Sequence, residues 1–273
     1  MIAFVSILCA QSSAQGITCG FEELSSIETT NQPTDVRFDA KVMTLISFNV
    51  VKKIDLSDPS EPLLLEEFTL PRTLSSIIFT NNLVMGFQTG RLYIYDISDR
   101  NAPVELSARW VGTRIYDLAV LGDYAYVSVE FTGIKVFDIS DPTKPVEVTI
   151  LSPEPDGLNL QIKDTTLWAT SETLGLVLYD LSNPAAPMKI DSQPIALESQ
   201  ISSFTFQGDI IYATEYGPSL ISIDISDPTS PQVLDRIEFD DRYLVLGFMG
   251  DWIYTTNHDD RVQLVDRRDP SNL

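Results

Sequence analysis

Short apolar runs broken by clusters of Gly, Pro, Asp and Ser fill the chain. Between residues 115 and 151 the order is a run at 115–120, a Gly122-Asp123 turn, a run at 124–129, a loop to Gly133, an alternating run at 134–138, a Ser140-to-Pro145 cluster and a run at 146–151. β-branched and aromatic runs of this length, punctuated by turn residues, predict four antiparallel strands in a meander. No window carries a convincing 3.6-residue period, so no helix is predicted.

The same order recurs. Asp55-Leu-Ser-Asp-Pro returns as Asp96-Ile-Ser-Asp-Arg, Asp138-Ile-Ser-Asp-Pro, Asp180-Leu-Ser-Asn-Pro and Asp224-Ile-Ser-Asp-Pro, and ends as Asp266-Arg-Arg-Asp-Pro. Most copies carry a second Pro three residues on, as at Pro62 and Pro145. A fixed period near forty residues signals a repeat architecture, and four strands per period predict a β-propeller. Twelve residues before each leading Asp stand Met43, Val84, Tyr126, Trp168, Tyr212 and Tyr254, all large enough to pack a second strand.

Six copies predict an all-β, six-bladed propeller of four-stranded antiparallel blades over residues 15–273. The units fall near 31–72, 73–114, 115–156, 157–200, 201–241 and 242–273. The last copy stops after its third strand, and residues 21–30 resemble the fourth strand of the second copy. They are expected to complete the sixth blade, since an open sheet edge invites aggregation.

The third strand and its turn, as in Leu92-Tyr-Ile-Tyr-Asp96-Ile-Ser and Ile134-Lys-Val-Phe-Asp138-Ile-Ser-Asp-Pro, resemble the LVIVD repeat. The resemblance covers about residues 21–273. It implies a propeller in a secreted or surface-attached protein, and no particular reaction. Arg100, Asn183 and Arg267-Arg268 depart from the pattern.

Net charge is −21. Such a surface lacks the Lys and Arg needed to displace counterions from phosphate, and it is repelled by anionic lipid, so nucleic acid and membrane surfaces are not expected partners. It also keeps copies apart, which favours a monomer. The apolar stretch 1–10 followed by Ser12-Ser13-Ala14 fits a secretory signal covering residues 1–14, although a positive first segment is missing. Neither this stretch nor any other is long enough to span a bilayer as a helix. Cleavage after Ala14 would leave Cys19 as the one cysteine, with no internal disulfide.

Two features carry candidate chemistry. The Asp-x-Ser-Asp-Pro turns suit Asx-type turns closed by Pro. Calcium is the alternative there, but the spacing offers two carboxylates per turn where calcium wants six to eight oxygens. The second feature is a register of polar positions on loops that would open at one face around the channel. Eight residues before the leading Asp stand Ser47, Gln88, Glu130, Glu172, Tyr216 and His258, with Glu215 adjoining. Twenty-four before stand Asn31, Arg72, Arg114, Asp156, Gln200 and Arg242. Arg72, Arg114, Glu130, Glu172, Glu215, Tyr216, Arg242 and His258 form the candidate ligand-binding set. Arginines there would clamp a carboxylate or phosphate, and carboxylates with one imidazole would suit a divalent cation. The plainer alternative is solvated loops with weak surface ion pairs. Asp240-Asp241 and Asp259-Asp260 add an acidic patch.

One histidine excludes a multi-His zinc site, and no nucleophile elbow, phosphate loop or dinucleotide fingerprint is present. No cofactor is evident, with calcium the one open case. The expected function is a secreted or cell-surface module that binds protein, peptide or carbohydrate. The alternative is a metal-dependent hydrolase or lyase using carboxylates at the channel mouth.

Overall fold

The computed structural model describes residues 2–11, 17–27, 35–39, 41–58, 61–151, 159–171, 175–191, 195, 197–239, 243–249, 252–257 and 262–272. Every regular element in them is a strand. After a hairpin of β1 (Ile2–Gln11) and β2 (Ile17–Ile27) come five four-stranded antiparallel sheets. They are β3–β6 (Asp35–Asp39, Val42–Ser47, Val50–Asp55, Leu63–Thr69) and β7–β10 (Ile77–Thr80, Leu83–Gln88, Arg91–Asp96, Val104–Trp110). Next are β11–β14 (Ile115–Leu121, Tyr124–Val129, Gly133–Asp138, Val146–Leu151) and β15–β18 (Leu160–Lys163, Thr166–Ser171, Gly175–Asp180, Met188–Ile190). The fifth is β19–β22 (Ile201–Gln207, Ile210–Glu215, Ser219–Asp224, Gln232–Glu238). β23–β25 (Tyr243–Met249, Trp252–Asn257, Val262–Asp266) form a three-stranded sheet. Within each sheet the strands follow chain order, so the fold is a β-propeller of four-stranded blades.

The expectation of six such blades is corrected to five. Residues 21–27, expected on the edge of β25, belong to β2 and pair with β1 from Ile2↔Ile27 to Gln11↔Ile17. The physical reason is loop closure. β1 and β2 are joined over residues 12–16, whereas the expected partner lies at the far end of the chain, and closure entropy grows with the length spanned. The apolar run at residues 2–10 supplies a nearer strand.

Two compact units divide the chain: Met1–Ile77 with Asp96–Val104, and Ile78–Tyr95 with Glu105–Leu273. In the first, Met43, Leu45, Ile46, Val51, Ile54 and Phe68 are buried. Arg100, which stands where other copies have Pro, pairs with Glu66, donates to the Ile97 carbonyl and lies 5.8 Å over the Phe68 ring. The departure from the repeat is thus an Arg that ties its turn to β6.

In the second unit the apolar clusters lie between consecutive blades. Met85, Phe87 and Ile94 pack with Ala125, Val127 and Phe137. On the opposite side Tyr126, Val136 and Leu151 pack with Leu160, Leu167 and Tyr179. Successive side chains of a strand point to opposite faces, so β12 sends Ala125 and Val127 to one neighbour and Tyr126 to the other. A strand buried on both faces needs a near-continuous apolar run, as 124–129 is apart from Ser128. The Tyr126 hydroxyl donates to the Pro184 carbonyl of the following blade's turn at 3.0 Å. Burial, helped by Tyr124, pushes this phenol up to about 12, so it remains a donor at any ordinary pH.

The repeated turns are built on their aspartate side chains. Oδ1 of Asp55, Asp96, Asp138, Asp180 and Asp224 accepts the N–H of the Ser two residues on, at 2.7–2.9 Å. Asp99, Asp141, Asp227 and Asp269 repeat the device with the N–H two residues further, at 2.9–3.0 Å. For Asp138, Asp141, Asp180, Asp227 and Asp269 the Ser or Thr side chain, then its N–H, holds the carboxyl below its ordinary 3.8. At Asp224 the N–H is the larger cause. A carboxyl depressed in the folded state stabilises the fold above its unfolded value, and that contribution is lost as pH falls through the folded value. Denaturant midpoints are therefore expected to hold down to about pH 4 and to fall below 3.8. Asp138→Asn with Asp141→Asn should flatten part of that decline. General relief of negative charge is common to both proteins, so the difference isolates the turn.

Candidate functional site

In each four-stranded sheet the turn between the second and third strands and the exit of the fourth strand lie at the same end. Of the candidates, Arg72, Arg114, Glu130, Glu215 and Tyr216 are among the described residues and sit there. In the third blade, Arg114 precedes β11 and Glu130 follows β12. The Glu130 N–H donates to the Arg114 carbonyl at 2.9 Å, which brings the two side chains together. The Tyr116 hydroxyl donates to Glu130 Oε1 at 3.1 Å. The Arg114 guanidinium lies 5.0 Å over the Tyr116 ring and 3.9 Å from Glu130 Oε1. Arg114 is 66% exposed, so its pairing with Glu130 is worth little, and most of its donors face water.

Glu215 is placed differently. It is fully buried. It ends β20 where the third blade has Val129: Ile201 faces Glu215 as Ile115 faces Val129. Its Oε1 accepts the N–H groups of Glu198 and Ser199 at 3.0 and 3.1 Å. Its Oε2 accepts Ser219 Oγ at 2.7 Å and pairs with Arg236 of β22. Gly217 N–H donates to Ser199 Oγ at 3.0 Å. Where the third blade packs its incoming connection on a valine, the fifth clasps it with a carboxylate. Four protein donors thus fill the acceptor sites of this carboxylate. Tyr216 beside it is exposed, and its N–H donates to the Gln200 carbonyl at 2.7 Å.

Arg72 is exposed and belongs to the first unit. Glu172, Arg242 and His258 lie outside the described residues, as do Asp240, Asp241, Asp259 and Asp260. Among the described residues no three His, Cys, Asp or Glu side chains converge as a metal would require.

Sequence reasoning missed three neighbours. Arg91 lies 5.9 Å over the Trp110 ring and donates to the Ala108 carbonyl at 3.0 Å. Phe131 follows Glu130 at the tip of its turn with φ 56°, in the left-handed region. Arg236, four-fifths buried, is the partner that lets Glu215 be buried. The signal for Phe131 was available: a large aromatic inside a turn cluster, one residue past the polar register.

Residues 114–152 and 206–237 match the model of the LVIVD repeat. The chain carries LVIVD repeats. These two segments hold the third blade from Arg114 to Leu151 and most of the fifth, so Glu130 and Glu215 both lie inside LVIVD units. Curated proteins give no sequence match. Among solved structures, Kluyveromyces lactis Hsv2 aligns with TM-score 0.61 and 12% identity over 87% of this chain and 75% of that one. A chain of the mitotic checkpoint complex aligns with TM-score 0.63 and 11% identity, over 96% and 82%. The computationally designed Ika8 protein aligns with TM-score 0.58 and 16% identity, over 90% and 74%. At such identities the likeness is one of fold, and function must be argued from the site.

Proposed function

We propose that this LVIVD-repeat propeller is a secreted or cell-surface binding module for an extracellular partner, acting through the end of its blades that carries the second-to-third-strand turns. One observation carries the proposal. At that end, large aromatics and a guanidinium stand exposed, while the buried carboxylate Glu215 is consumed by four protein donors. Exposed aromatic and Arg side chains suit recognition, and a saturated carboxylate does not suit acid–base chemistry.

The test compares thermal unfolding of the chain in excess calcium and in excess chelator. A ligand that binds the folded state alone raises its apparent stability by mass action. The expected result is coincident melts, because among the described residues no three His, Cys, Asp or Glu side chains converge. A melt several degrees higher in calcium would overturn the module in favour of the metal-dependent hydrolase or lyase. Export is tested by fusing residues 1–20 to a reporter enzyme that is active only outside the cytoplasm. An inactive fusion would remove the extracellular part of the proposal.

A further inference from the structure

Three features of the second unit meet at one end of its second and third blades. The first is a pair of exposed aromatics: Trp110, 56% exposed at the end of β10, and Phe131, 85% exposed. Phe131 occupies the left-handed region, as Phe48 and Thr89 do at the same turn of the first and second blades, and it is more exposed than Phe48.

The second feature is proximity. The connection from Trp110 to Arg114 lies on the end of β12. A Cβ added at Gly112 would collide with the Val129 side chain, and the Glu130 N–H reaches the Arg114 carbonyl at 2.9 Å. Trp110 and Phe131 therefore flank one short stretch of backbone.

The third is charge. Arg91 lies over Trp110 at 5.9 Å and Arg114 over Tyr116 at 5.0 Å. A guanidinium held against a ring keeps its fork of N–H donors in a fixed plane, ready for a carboxylate. Residues 105–116 contain no Lys and no Asp. On a chain of net charge −21 this stretch has more cations than anions. Trp, Tyr, Phe and Arg with few Lys and Asp is the composition of the energetic centre of protein interfaces.

We infer that Trp110, Arg114 and Phe131 form the hot spot through which this module grips an acidic protein segment, with Phe131 entering an apolar pocket beside the partner's carboxylates. The inference rests on the binding-module proposal above and names its contact surface. A projecting ring suits a pocket in a protein better than the flat face of a sugar, and the arginines select for carboxylate. The partner must also approach a strongly negative chain, so moderate salt should speed association by screening the long-range repulsion.

The experiment selects a display library of random peptides on the immobilised full chain. Enriched peptides should combine Asp or Glu with a large apolar residue. A synthetic peptide of the enriched sequence should lose about thirtyfold in affinity to Phe131→Gly and to Arg114→Ala, with Arg114→Lys falling between. Phe131→Gly removes the backbone strain, so its folding stability should hold or rise, and a folding defect cannot explain the loss. Enriched peptides that bind wild type and Phe131→Gly equally would overturn this surface while leaving the module standing. Failure of all peptides with firm binding of an oligogalacturonate would replace the protein partner by an acidic glycan. Binding of neither probe would overturn the surface and the module together.

Discussion

Glu215→Ala is expected to lower the unfolding free energy by about 3–5 kcal/mol, the range for removing one partner of a buried ion pair. The substitution strands a chain of groups. Arg236 is four-fifths buried and loses its carboxylate, retaining Glu198 at 3.7 Å. The N–H groups of Glu198 and Ser199 lose their acceptor, as does Ser219 Oγ. Orphaned donors add a desolvation penalty to the lost attraction. Urea unfolding followed by tryptophan fluorescence reads the loss. A second variant separates the clasp from mere bulk. Glu215→Val with Arg236→Ile installs the residues that hold the same registers in the third blade, the buried Val129 and the half-exposed Ile150. It is expected to recover a large part of the lost stability, because a buried ion pair replaced by apolar side chains of fitting size is often neutral. A double variant as unstable as Glu215→Ala would show that the clasp has no apolar substitute in this blade.

Gly90→Ala is expected to be comparably severe. Gly90 has φ 75°, and a Cβ there would overlap the Gly112 carbonyl oxygen and crowd the Trp110 indole. The first obstacle is backbone and cannot rotate away. It is also fixed by hydrogen bonds, since Val111 and Gly112 N–H groups both donate to the Gly90 carbonyl. Left-handed strain of about 1–2 kcal/mol adds to the displacement of that connection. A total loss of at least about 3 kcal/mol is expected, in the upper tail for single substitutions. Gly122→Ala is the control. Its φ is 56° but nothing lies within 4 Å of the added Cβ, so it should cost the strain alone. Equal effects at the two positions would show that the contact with Gly112 carries no weight.

Much of the fold was legible because the repeat states it several times over. The β-meander of 115–151, the turns built on Asp138 and its equivalents, and the packing role of Tyr126 and Tyr212 follow from period, turn chemistry and side-chain size. Resemblance of residues 21–30 to another fourth strand was a weaker guide. Side-chain pattern cannot say which of two edges a strand will join, and β2 joined the nearer one. At the site, Arg114 and Glu130 were legible because they share a register with polar residues of other copies. Glu215 was read as a mouth residue, yet it stands one position earlier, on the strand, where alternation turns the side chain inward. Arg236 could not be paired with it from sequence, since the pairing depends on how β22 aligns with β21 across a bulge.

The placement of apolar clusters between blades rather than within them has a consequence for how such a chain can change. None of the third, fourth and fifth blades owns its hydrophobic interior; each shares one seam with the sheet before and another with the sheet after. Excising a single repeat would bring together two half-seams that were never shaped for each other, such as the β12 face carrying Tyr126 and a face built to meet Trp168. Gain or loss of repeats in such a lineage must therefore be followed by refitting at one junction, and the blades flanking that junction are where sequence should have drifted furthest from the common pattern.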